Sequence, residues 1–294
     1  MKSDQPFLPY AVALAAVGLF SLMDALMKGA AIAVGAYSAL LLRSVIGLVL
    51  IGPVYLALRQ GWPAKATMRI HVIRGVVASA MAFTFFWGLA RIPLAEGIAL
   101  SFVAPLIALY LAAALLGERV APRAIAASLL GLGGVVVILL GGSAHEGAHP
   151  EAGWGTASIL LSSVLYAWNL VLQRQQSLLA RPVEVATFQT GIVAVVLALG
   201  APFLLQMPGS GDWSTILGAA VLALAASMMF AWSYARAEAQ ALVPLEYSGF
   251  LWAALFGWLL FSEGLRLPVL LGAVLIVAGC WIAAPRKRPE QTAA

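Results

Sequence analysis

Residues 145–149 read HEGAH, inside the longer stretch GGSAHEGAHPEAG. Two imidazoles one helical turn apart, with a glutamate between them, could hold zinc and activate its bound water. That chemistry needs a helix to place both histidines on one face. The flanks oppose one: Gly141 and Gly142 precede the motif, Gly147 sits inside it and Pro150 follows. The third histidine, His71, falls near the opposite end of a different apolar segment. The stretch reads as a solvated loop that matches the letters, and no metal, cofactor or enzymatic activity is expected. A zinc-dependent hydrolase built on HEGAH is the alternative.

The elements around the motif decide between them. Of 294 residues, 63% are hydrophobic and 10% charged, with a mean hydropathy of +0.97. Soluble domains carry about 25% charged residues. A soluble core could not hide so much apolar surface, so lipid must solvate most of it. The net charge of +5 does not point to nucleic acid, because Lys and Arg concentrate in short loops and at the C-terminus. The single cysteine, Cys280, excludes an internal disulfide. The apolar run after Lys2 continues past Asp24 to Lys28 without a cleavage signal, and reads as a first span rather than a signal peptide.

Ten segments reach the roughly 20 apolar residues that a span needs: 8–28, 36–58, 69–90, 93–116, 121–141, 153–175, 183–206, 213–235, 240–262 and 266–284. With the N-terminus cytoplasmic, thirteen basic residues fall on the inner side and three (Lys28, Arg91, Arg266) on the outer, while Arg43 lies within a span. This bias predicts a bacterial-type inner membrane protein with both termini in the cytoplasm. HEGAH then lies in an outer loop.

WGLAR at 87–91 returns as WSYAR at 232–236, an offset of 145 that also pairs Leu100 with Leu245, Glu118 with Glu263 and Gly134 with Gly279. Near the first span of each half an offset of 146 pairs Phe20 with Tyr166 and Lys28 with Arg174. The expected fold is an all-α integral membrane protein with ten transmembrane helices in two inverted five-helix repeats. The repeats are 1–141 and 153–294, joined by an outer loop at 142–152. Five spans is an odd number, so the second copy enters the membrane upside down, as in many secondary transporters.

The fourth span, within SFVAPLIALYLAAALLGERVAPRAIAASLLGLGG, runs from a mid-helix proline to a terminal LGE. With ten spans in two halves, the chain resembles the drug/metabolite transporter superfamily, EamA type. In length and aromatic content it is similar to the amino-acid exporter branch. The resemblance implies a secondary transporter that exports small metabolites, amino acids foremost, by alternating access. A non-transporting membrane receptor is the other rival. Phe250 stands where the second half would match Pro105, so Gly249 or Pro244 would have to supply that bend.

A substrate site is expected near the midplane, between the halves. Ser162, Tyr166, Asn169 and Gln173 form a polar stripe on span six, facing either a cavity or a neighbouring helix. Span one presents Phe20 and Met23 at the matching positions. Span three offers Ser79, Phe83 and Trp87, span eight Trp232, and span nine Tyr247 and Ser248. The two tryptophans also suit an interfacial anchor. Pro105 frees the carbonyl of Ser101 and, with Gly249, is the expected hinge. Asp24 is read either as an ion-pair partner of Lys28 and Arg43 or as a proton site. Glu118 and Glu263 match the family glutamate and read as structural. Ala127, Gly131, Gly134, Gly272 and Gly279 allow close packing within the bundle or in a homodimer. The expected partners are a small-molecule substrate and membrane lipid.

Overall fold

The computed structural model describes residues 8–58, 61–104, 107, 110–111, 122–142, 150–177, 179–234, 245 and 248–283. Its regular elements are helices throughout: α1 (Leu8–Ala57), α2 (Lys65–Leu89), α3 (Leu94–Ser101), α4 (Pro122–Gly142), α5 (Ala152–Ser177), α6 (Pro182–Ala198), the single turn α7 (Ala201–Leu204), α8 (Asp212–Tyr234), α9 (Gly249–Phe261) and α10 (Leu267–Ala283). Helices satisfy their own backbone groups, which lipid cannot. The 25 residues of α2 extend about 37 Å, longer than the roughly 30 Å hydrocarbon core. HEGAH and Pro105 lie outside the described residues, as do Glu118 and Tyr247.

The sequence predicts a loop over 28–36, between spans one and two. The structure carries the helix on and turns at a single residue, Gly35, with φ 80° and ψ 147°, a conformation open essentially to glycine alone. The AAIAV segment contains no proline or polar turn residue, so nothing stops the helix earlier. The chain doubles back there: Arg43 Nη1 lies 3.3 Å from Met23 Sδ, 20 residues away. A straight helix would hold those positions about 30 Å apart.

The bundle is apolar on its outside. Leu56, Leu140, Phe203 and Trp281 are exposed, while alanines such as Ala16, Ala25, Ala30 and Ala39 fill the interior. Small residues let membrane helices approach closely. The most extensive pairings are α1 with α8, α4 with α10, and α2 with α5, followed by α1 and α2 with α6. At the α4–α10 crossing a Cβ on Gly134 would meet the Gly272 carbonyl oxygen at 2.6 Å. These two small residues are therefore used within the chain.

Spans four and nine carry tight backbone closures at matching places. After α3, the N–H of Val103 bonds the Leu100 carbonyl at 3.3 Å. Before α9, the N–H of Ser248 bonds the Leu245 carbonyl at 3.0 Å. Both are three-residue closures that tighten the chain, and positions 103 and 248 are related by the offset of 145.

Candidate functional site

A cavity of about 130 Å³ lies between α1, α2, α6 and α8. Its lining carries Arg43, Ser44 and Gly47 from α1, and Gln189, Thr190 and Val193 from α6. An offset of 146 converts the first three positions into the second three. Ala78 and Ala223, related by 145, face it from α2 and α8. Positions one sequence offset apart thus line one space. The halves differ in chemistry there: position 43 supplies a cation and position 189 a neutral amide.

Arg43 reaches Met23 Sδ and stands 5.8 Å from the centre of the Phe86 ring. It has no carboxylate within ion-pair distance among the described residues, and Asp24 is in electrostatic reach. A guanidinium at membrane depth is costly unless it faces water, a counter-charge or a ligand. Gln189 adds an acceptor to the same space, because its Oε1 is buried without a hydrogen-bond partner among the described residues. The rest of the wall is small and apolar, including Ala78, Ala82, Ala220 and Val193. The site can receive an anionic group at Arg43, an N–H donor at Gln189 and an apolar body between them.

Among the described residues, none of the side chains expected from the sequence lines this cavity, although Met23, Ser79 and Phe83 adjoin it. Met23 contacts Arg43, and Ser79 and Phe83 follow the lining residues Ala78 and Ala82. The Ser79 hydroxyl donates to its own helix at Gly75. Phe20 packs on Phe230 with centroids 5.6 Å apart. Trp87 lies under the Arg91 guanidinium at 3.5 Å, and Arg91 also holds Glu151 at 2.7 Å. Ser101 donates to Gly97, and Ser248 to Leu245. Gly249 is buried, its carbonyl 3.5 Å from the Ser21 hydroxyl, and Trp232 is half-buried. On α5, Ser162 donates to the Met81 carbonyl at 2.9 Å, Asn169 accepts from Arg74 Nε at 3.1 Å, and Tyr166 is in electrostatic reach of Arg74. The side chain of Gln173 lies outside the described residues. Asp24 is half-buried and makes no ion pair with Lys28.

Lys28 pairs instead with Glu263, at the end of the bundle that the charge bias assigns to the outer side. It also donates to the Ile92 carbonyl at 2.7 Å, while Glu263 Oε2 accepts the Leu94 N–H, the first of α3, at 2.7 Å. The glutamate therefore caps a helix from a distance and neutralises a buried lysine. This links α1, α3 and the end of α9.

Sequence reasoning passed over Ser44, Gln189 and Thr190. Their signal was present: Arg43 is an arginine inside a span, and adding the repeat offset to it gives Gln189.

A helical bundle that is apolar on its outside and keeps a small, mostly apolar cavity with Arg43 and Gln189 at its core fits a membrane transporter of small molecules. Two segments, 8–140 and 153–284, each match the model of the EamA-like transporter family, and the chain belongs to that family. It is 28% identical to a pseudopaline exporter of Pseudomonas aeruginosa, over 89% of this chain and 90% of the relative. It is 27% identical to a riboflavin transporter of Rhizobium johnstonii, over 76% and 70%. A riboflavin transporter of Vibrio cholerae is 29% identical over 70% and 68%. A solved crystal structure shares the fold, with a TM-score of 0.62 and 22% identity over 95% of this chain and 97% of that one. The protein is a multi-pass membrane transporter of the drug/metabolite type, and its named relatives move small molecules.

Proposed function

We propose that the protein exports amino acids or closely related carboxylates with apolar or aromatic side chains, by alternating access through the chamber at Arg43 and Gln189. The observation that carries the reading is the lining itself, in which positions 43, 44 and 47 of one half face positions 189, 190 and 193 of the other. A chamber on the axis between inverted halves is where a rocking-bundle transporter holds its substrate. Arg43 would take the carboxylate as a planar fork. The free Gln189 oxygen would accept from the ammonium, and the alanine and valine wall would receive the side chain. Export as the direction follows the similarity to the pseudopaline exporter.

Met23 and Phe83, which adjoin the chamber, and Phe20, Tyr166 and Trp232 elsewhere in the bundle would be met along the path as the halves rock. Pro105 and Gly249 would serve as hinges beside the paired closures of spans four and nine. The charge bias supports an inner-membrane location with cytoplasmic termini.

Counterflow in liposomes with a panel of labelled amino acids tests this. Exchange of at least one member is expected. Arg43→Gln should lower it at least about thirtyfold, the loss that follows removal of one partner of a buried charge-assisted pair, whereas Arg43→Lys should retain part of it. Exchange that is unaffected by Arg43→Gln would refute the site, and exchange of riboflavin alone would refute the substrate class.

A further inference from the structure

Apart from the chamber, the structure holds a second buried polar chain, near the end of the bundle that the charge bias assigns to the cytoplasm. Arg74 of α2 donates from Nη1 to Gln176 Oε1 of α5, and Gln176 Nε2 meets Nδ1 of His71, which is fully buried. His71 Nε2 lies 3.1 Å from Glu184 Oε1 on α6, and its ring stacks on Phe188 at 4.9 Å. Besides Glu184 and Arg74, the titratable groups facing this cluster among the described residues are Tyr55 of α1, packed edge-on against Phe188 and in electrostatic reach of Glu184, and Tyr166 of α5, in electrostatic reach of Arg74.

Each link dictates the next. A guanidinium can only donate, so the Gln176 oxygen must face Arg74. The Gln176 N–H then faces Nδ1, which must accept. The imidazole therefore carries its single proton on Nε2, and that N–H donates a hydrogen bond to the Glu184 carboxylate. A proton arriving at the Nδ1 lone pair would produce an imidazolium paired with Glu184, with an N–H now opposed to the Gln176 N–H. Turning the Gln176 amide would satisfy the ring, but it would set an N–H against the Arg74 guanidinium. Either way α2 and α5 lose a link that spans them.

We propose that His71, backed by Glu184, is a proton-binding site of this transporter, and that protonation of Nδ1 loosens the inner ends of α2 and α5 by breaking the Gln176 link, while the Arg74–Asn169 bond remains. The ligand is a proton exchanged with the cytoplasmic side. Its use as the coupling ion rests on the transport reading, whereas the site itself does not depend on any substrate.

The test uses the full chain in nanodiscs, without substrate, with Cys280 replaced by serine and spin labels at the exposed positions Ala66 and Gln175. The measured distance should be a single narrow population at about pH 8 and gain a longer one at about pH 5. His71→Gln should abolish that response. Gln176→Leu, which removes the link without adding a charge, should show the longer population already at about pH 8. A distribution that does not change with pH, or a full response retained in His71→Gln, overturns the proposal. Counterflow in a pH-insensitive protein would reject the proton site alone, and a pH response without counterflow would reject the substrate reading alone.

Discussion

Lys28 and Glu263 were both visible as charges beside membrane segments, yet their partnership was not. Asp24 stands one helical turn from Lys28, the arrangement that favours a local ion pair. Glu263 wins because it satisfies the Leu94 N–H at the same time, while the lysine reaches the Ile92 carbonyl. Local spacing carries no information about a carboxylate 235 residues away. Removing one member of such a pair costs about 3–5 kcal/mol, whereas removing both costs far less. Lys28→Met alone should therefore lower the thermal midpoint in detergent markedly, and adding Glu263→Gln should restore most of it. Gln189 predicts the opposite balance. Its buried oxygen lacks a partner among the described residues, a deficit of about 1–3 kcal/mol, so Gln189→Leu should raise the thermal midpoint while depressing counterflow. A destabilised Gln189→Leu protein would mean that this oxygen is already bonded.

Hydropathy located the helices because each must bury its own backbone groups and expose an apolar surface to lipid. It failed where a single residue makes the turn. Nothing in AAIAV marks an end, and only the backbone of Gly35 reveals it. The small residues of spans five and ten announced close packing without saying against what. The structure answers for two of them, Gly134 and Gly272. Gly133, one position away, has nothing within 4 Å of the place a Cβ would occupy. Gly134→Val should therefore cost about 1–3 kcal/mol or more by overpacking against backbone, and Gly133→Val should be nearly neutral, as read from paired thermal unfolding curves. Equal effects would contradict the α4–α10 crossing.

At the scale of the whole molecule, the offsets of 145 and 146 were legible from a few repeated letters, and they now relate the residues that face one another across the chamber. The chamber's position was harder to read. The stripe on span six and the aromatics of span three stand out in the sequence because side-chain type is conspicuous. Spans two and seven contribute mostly through a small, mixed lining that becomes a site only when the two are brought together. The account depends on two related five-span units lying antiparallel in the bilayer around that space. Membrane-impermeant thiol labelling measures this most directly, with single cysteines at positions 91 and 236 in a chain whose Cys280 is replaced. The account predicts that position 91 is labelled from outside intact cells and position 236 only after they are opened. Labelling of both from the same side would contradict it.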